Sequence, residues 1–339
     1  MRFLPKGSKP KRVTIALLLL ACVLCKLRKN IIHTLVTTSA LTDTSCVTIV
    51  ASCKLTSARL DAFTRALLSW TKVKGVKEII VVDWDSNIPT LDTINSIAFP
   101  FDVRVKSVNV HGLGIVLWRI GAAFNLGLSH VQCETVLKLD CDTSLHEDFV
   151  RHNQIDSVRF RYGDYRNSAG DENSKHLNGV FFAWTSDLRA IHGFDERFGL
   201  YGWDDSDLYY RLEHFLLQRN FSTASADFKR NVSKVQLIQH LPHTRVHHAL
   251  EAVSICFNEE ASKMITSWKY SALNNSHTFT CHVTEQPNGI YVLDCLVQTV
   301  PPTVQQLLKP ELCSATFNSC LHKYDDPFMA DPCITFIAN

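Results

Sequence analysis

Apolar positions in this chain follow two rhythms. Short, nearly unbroken apolar runs at Val47–Cys53 (VTIVASC), Glu78–Asp83 (EIIVVD) and Thr135–Asp140 (TVLKLD) predict strands buried on both faces. Between them, apolar residues recur every three or four positions. Leu60, Phe63, Leu67 and Trp70 share one face of a helix over Ser57–Trp70, with Ser57 placed to cap it. Trp118–Leu128 reads as a second helix, and Asp204–Asn220 as a third with Leu208, Leu212, Phe215 and Leu216 turned inward. Asp102–Val110 alternates as an edge strand does. Asn178–Thr185 predicts a strand followed by a short helix from Ser186, and Val235–Leu241 a further strand. Such alternation implies an α/β fold around a doubly wound, mainly parallel sheet, whose ligands bind beyond the carboxyl ends of the strands. Asp83, Asp85, Asp140 and Asp142 all fall at such ends.

The rhythm breaks at both ends of the chain. Lys6, Lys9, Lys11 and Arg12 precede an apolar run, Val13–Cys25, that Lys26, Arg28 and Lys29 close. The run is short for a bilayer span of about 20 residues. With more positive charge before it than after, it reads as a signal-anchor that leaves the N-terminus cytoplasmic. Cleavage near Thr37–Ala40 would instead give a secreted chain. The expected organisation is a cytoplasmic tail at 1–12, the anchor at 13–25, a stem at 26–45, a catalytic domain at 46–253 and a cysteine-rich extension at 254–339. Glycosylation triplets at Asn220, Asn231 and Asn274 suit a secretory route. So do the cysteines: Cys256, Cys281, Cys295, Cys313, Cys320 and Cys333 crowd the last quarter with no zinc-like spacing, which favours disulfides in an oxidising lumen. The 339 residues carry a formal charge of +2 and are 46% hydrophobic, a globular balance that argues against a nucleic-acid partner.

Candidate chemistry sits in three places. Asp140 and Asp142 flank one residue at a strand end, a spacing of hard oxygen ligands suited to Mn²⁺ or Mg²⁺ that keeps positions free for phosphate oxygens. An Asx-turn capping the strand is the plain alternative. The second place is HGFDERFGLYGWDDSDLYYRL at His192–Leu212, where Gly202–Trp203 introduces a helix whose first turn holds Asp204, Asp205 and Asp207. The helix dipole favours carboxylates there, but three beside a tryptophan exceed what capping needs, and one could bind a sugar hydroxyl or act as general base. The third is LIQHLPHTRVHH at Leu237–His248, with four histidines.

LKLDCD, NGVFFAW and the His192–Leu212 stretch together resemble the GT-A glycosyltransferases, in particular the C-terminal region of the β-1,4-galactosyltransferases and their bacterial and polypeptide-GalNAc-transferase-like relatives. The resemblance spans about Val47–His248. It departs in lacking the Gly-Gly pair after Trp203 and in having Asp204 and Ser206 where the galactosyltransferases carry Glu and Asp. It implies a metal-dependent, inverting hexosyltransferase that moves galactose or an N-acetylhexosamine from a UDP-sugar to a glycan or glycoprotein hydroxyl. Asp140 and Asp142 would hold the metal, completed by His240 or His243, with His248 a further candidate. Asp83 and Asp85 would lie near the uridine, Arg119 and Asn125 beside the donor, and Asn178 and Gly179 along the donor sugar. Asp205 would deprotonate the acceptor, Asp204 would bind it, and Trp203 would stack on a pyranose face. A single-pass Golgi or ER membrane protein with a lumenal catalytic domain follows from the same resemblance and the anchor. Two rival readings are a degenerate, lumenal glycan-binding or structural protein on the same scaffold, and a nucleotidyltransferase. The latter normally needs a glycine-containing phosphate loop, and Ala51–Asp61 has no glycine.

Overall fold

A computed structural model describes residues 46–112, 119–156, 159–163, 171–198, 202–219, 231–232, 235–243, 251–264 and 277–324. The tail, anchor and stem, the acceptors Asn220 and Asn274, Ser233 of the third acceptor triplet, Trp118 and His248 lie outside these residues. No helix among the described residues is long and apolar enough to cross a membrane.

The strands are β1 (Val47–Cys53), β2 (Val76–Trp84), β3 (Arg104–His111), β4 (Thr135–Asp140), β5 (Thr143–Leu145), β6 (Arg161–Tyr162), β7 (Phe181–Trp184), β8 (Asn231–Val232), β9 (Val235–Gln236), β10 (Ile238–His240), β11 (Thr278–Glu285) and β12 (Ile290–Thr299). The helices are α1 (Leu60–Trp70), α2 (Thr90–Asn95), α3 (Ile120–Ser129), α4 (Phe149–His152), α5 (Glu172–Lys175), α6 (Thr185–Ala190), α7 (Asp204–Gln218), α8 (Glu251–Met264), α9 (Val304–Leu307) and α10 (Pro310–Tyr324). The main sheet runs β11-β12-β3-β2-β1-β4-β7-β6. Strands β12, β3, β2, β1 and β4 are mutually parallel, while β11, β7 and β6 run antiparallel to their neighbours. This is the mixed, mostly parallel sheet the sequence predicts. The chain leaves β1 for β2 on one side and returns to β4 on the other, so the topological switch lies between β1 and β4.

Alternate residues of each strand feed two cores. Ile49, Ala51, Ile79, Val81, Leu137 and Leu139 face α1, burying Phe63, Leu67 and Trp70. Val50, Ile80, Val82 and Val136 face α3 and α7, burying Phe124, Leu208, Leu212 and Leu216. Helix α3 approaches the sheet closely because Gly127 has no side chain: a Cβ there would stand 2.6 Å from Val50 Cγ1.

Several expectations change. Ser57 caps nothing; a 3₁₀ turn over Ser57–Arg59 precedes α1, whose first residue follows Arg59, and no side chain caps either. Strand β3 is interior, because β12 pairs along its outer side from Val105 to His111. The expected extension from 254 is therefore not appended: β11 and β12 complete the sheet. Helices α8 and α10 build a third cluster with Val253, Phe257 and Phe317, against which Phe198 and Trp203 pack. The expected disulfides are present among the described residues as Cys46–Cys133, Cys53–Cys141, Cys256–Cys320 and Cys281–Cys295.

Candidate active site

The last parallel pair between β1 and β4 joins Ser52 to Asp140. Beyond it the chain turns through Cys141 and Asp142 into β5, which pairs antiparallel with β10 so that Thr143 lies opposite His240. Leu241 N donates to the Asp142 carbonyl at 2.6 Å. This small sheet carries both candidate histidines to one carboxylate. His240 Nδ1 lies 3.3 Å from Asp142 Oδ1, and His243 Nε2 2.9 Å from Oδ2. Burial alone would raise the Asp142 pKa, but the two imidazoles more than reverse this and hold the carboxyl well below its usual range.

Asn173 clasps the same edge, accepting from His240 N at 2.8 Å and donating to Ile238 O at 3.1 Å. The His176 ring stacks on His240 at 4.5 Å. Sequence reasoning missed both residues, since α5 is a single turn with no apolar period. A carboxylate with two imidazoles, and Asp140 two residues before it, is a mixed oxygen and nitrogen donor set that suits Mn²⁺ better than Mg²⁺. Here the imidazoles bond the carboxylate directly, and among the described residues no group of three or more donors is spread to enclose an ion. As residue types, Asp140, Asp142, His240 and His243 fit such an ion.

The second acidic patch meets the first through a lysine. Lys138 Nζ, on β4 with its side chain 1% exposed, lies 2.8 Å from Asp140 Oδ1. Burial would lower its pKa, yet the fields of Asp140, Asp205 and Asp204 raise it. Asp205 is pushed up to about 8, first by burial, then by Asp204 and Asp140, with Lys138 opposing. As a residue Asp205 is only partly covered, but its Oδ1 is sealed from solvent and finds no hydrogen-bond partner, so the deep environment governs its charge. Burial likewise raises the Asp204 pKa. Gly179, at φ 88°, lies directly over this carboxylate: a Cβ would stand 2.8 Å from Asp205 Oδ2. Its N–H donates to Tyr209 Oη at 3.1 Å, and Tyr162 stacks on that tyrosine at 4.4 Å. Asn178, next in the chain, is half-buried.

Helix α7 starts from two left-handed residues, Gly202 at φ 86° and Trp203 at φ 69°. For a non-glycine residue that conformation costs about 1–2 kcal/mol. Helix α8 holds the turn in place. Asn258 Nδ2 donates to Gly202 O at 2.8 Å, and Ile255 packs so closely that a Cβ on Gly202 would be 2.3 Å from its Cγ1.

The remaining expected residues have structural partners. Asp83 accepts from Ser86 N at 3.0 Å and Thr90 N at 2.8 Å, fixing the turn into α2, while Asp85 is exposed at φ 52°. Arg119 Nη1 donates to Glu196 O at 3.1 Å. Asn125 accepts from Phe194 N at 2.8 Å and donates to Phe194 O at 2.9 Å and Glu196 Oε1 at 2.7 Å, which saturates its amide. Asn125 thereby clasps the segment leading to α7. Glu196 also receives His277 N at 2.7 Å, a tie from β11 that local pattern could not disclose. Asp207 turns away from the site to pair with Arg211 Nε at 2.7 Å. Trp203, expected to stack on a sugar, packs against the third cluster.

A family described as the N-terminal domain of galactosyltransferase matches residues 166–243, the stretch that supplies Gly179, Asp204, Asp205, His240 and His243. Over that stretch the chain is similar to galactosyltransferases. No curated protein matches the chain. Solved structures align with this chain distantly. A Drosophila β1,4-galactosyltransferase 7 mutant in complex with manganese, UDP-Gal and xylobiose is 10% identical with a TM-score of 0.45, covering 75% of this chain and 94% of its own. The mannosyltransferase PcManGT from Pyrobaculum calidifontis, in complex with GDP-Man and Mn²⁺, is 13% identical with a TM-score of 0.45, covering 86% and 78%. TarS 1–349 from S. aureus is 13% identical with a TM-score of 0.40, covering 68% and 73%.

Proposed function

We propose that this protein is a metal-dependent, inverting glycosyltransferase that moves a hexose or N-acetylhexosamine from a UDP-sugar to a hydroxyl of a glycan or glycoprotein. The observation that carries this reading is the meeting of both acidic patches at one buried lysine: Lys138 bonds Asp140 and lies in the field of Asp204 and Asp205. In this reading Asp142, His240 and His243 hold Mn²⁺ together with Asp140. When bound, the ion neutralises charge that develops on the departing nucleoside diphosphate. Gly179 lets the backbone approach Asp205 closely, because a Cβ there would strike the carboxylate. Asp204 orients the acceptor, and Asp205 takes the proton from its hydroxyl. A carboxylate that already titrates near 8 suits that task at near-neutral pH. A hydroxyl activated on the side opposite the leaving group inverts the anomeric centre. The apolar run at 13–25 would anchor the catalytic part in the Golgi or ER lumen, consistent with the disulfides among the described residues.

The test is hydrolysis of a panel of nucleotide sugars by the purified chain with Mn²⁺. Cleavage of at least one UDP-sugar, abolished by chelation, is expected. No cleavage of any of them would contradict an active enzyme and favour a glycan-binding protein on the same scaffold.

A further inference from the structure

The residue between Asp140 and Asp142 is Cys141, and it is bonded to Cys53 at the end of β1. The bond lies one position beyond the last backbone pair of these two strands, Ser52 with Asp140, where β1 and β4 no longer pair with each other. Both cysteines are buried, at 1% and 8% exposure, so the crosslink is part of the wall behind the acidic turn. On the far side of that turn, Asp142 faces His240 and His243. A second disulfide, Cys46–Cys133, ties the same region at the opposite ends of the two strands, next to the first pair, Val47 with Thr135. The two crosslinks span 88 and 87 residues, so each restricts the unfolded chain to the same degree. They differ in what they adjoin: one the site, the other the amino-terminal ends of the strands.

We propose that Cys53 and Cys141 are positioning residues of the donor site, whose crosslink fixes the turn between the two aspartates so that Asp142 stays aligned with His240 and His243. This rests on the reading of those residues as the metal-holding set. The Cys46–Cys133 bond, remote from the turn, serves stability alone. The pair thus separates two effects that usually arrive together, and it supplies its own control.

Cys53→Ala/Cys141→Ala and Cys46→Ala/Cys133→Ala are compared with the unaltered full chain by thermal melting, by Mn²⁺ electron paramagnetic resonance and by calorimetric binding of UDP with Mn²⁺. Both variants should lose similar thermal stability. The Kd for UDP with Mn²⁺ should rise about tenfold or more in the first and change by less than about twofold in the second, as outer-shell supports of metal sites usually behave. The bound-Mn²⁺ signal should weaken in the first alone. Equal affinities in the two variants would overturn the proposal while leaving the donor-site reading intact. Absence of Mn²⁺-dependent UDP binding in the unaltered chain would overturn both. Should the first variant fail to melt cooperatively, Cys53→Ala/Cys141→Val, which refills the apolar space, is measured in its place.

Discussion

Asp205 shows how one side chain can link stability to chemistry. Its folded pKa stands at about 8 against an ordinary 3.8, so the folded state holds its proton across a window where the unfolded chain has lost it. Stability from this group is therefore lost as pH rises between those values, because ionising the buried carboxyl opposes the fold. The same proton must leave before the group can act as a base. Activity should thus rise toward pH 8 while thermal stability falls, a pairing that a rate profile and a melting series can both read. Asp205→Asn should abolish transfer, flatten the melting slope and leave UDP binding unchanged; near-normal turnover would refute the assignment of the base. Gly179→Ala should lose activity at least tenfold and about 1–2 kcal/mol of stability, from the positive φ and the collision with Asp205. Activity assays and denaturant titration would check this.

At the scale of elements, the long periodic segments were legible. Strands β1, β2 and β4 and helices α1 and α7 appear where apolar runs and three-to-four spacing place them. Asp140 ends β4 and Asp204 and Asp205 open α7, as the apolar pattern places them. What failed was long-range. Strand β3 alternates like an edge because its local sequence cannot reveal that β12, nearly two hundred residues later, covers it. Asn125 matched a donor-binding pattern, yet its amide is saturated by Phe194 and Glu196, contacts set by tertiary packing. Helix α8 was hidden in a cysteine-rich tail, although it supports the strained turn at Gly202–Trp203. Asn258→Leu removes the donor to Gly202 O and should cost about 1–3 kcal/mol, as an unsatisfied buried carbonyl does. It should also slow UDP-sugar hydrolysis with little change in UDP affinity, measured by steady-state kinetics beside calorimetry.

Across the molecule, the described residues build an eight-stranded sheet, two two-stranded sheets and three apolar clusters, with polar ties such as Glu196 to His277 joining distant segments. The C-terminal portion is thus a structural part of the same fold. A chain ending at residue 276 would expose the outer side of β3 and remove α10 from the cluster against which Trp203 packs. Circular dichroism should show no cooperative melt for it; a fully folded truncated chain would contradict this view of the sheet.

In the proposed reaction the acidic patches divide the work, Asp142 with its histidines serving the donor and Asp205 the acceptor. Calorimetric titration of UDP into the unaltered chain, Asp142→Asn and Asp205→Asn, each with Mn²⁺ and with chelator, tests it most directly. The expected result is metal-dependent binding in the unaltered chain and Asp205→Asn, and a loss of about tenfold or more in Asp142→Asn. Binding that survives chelation, or that Asp142→Asn leaves untouched, would contradict it.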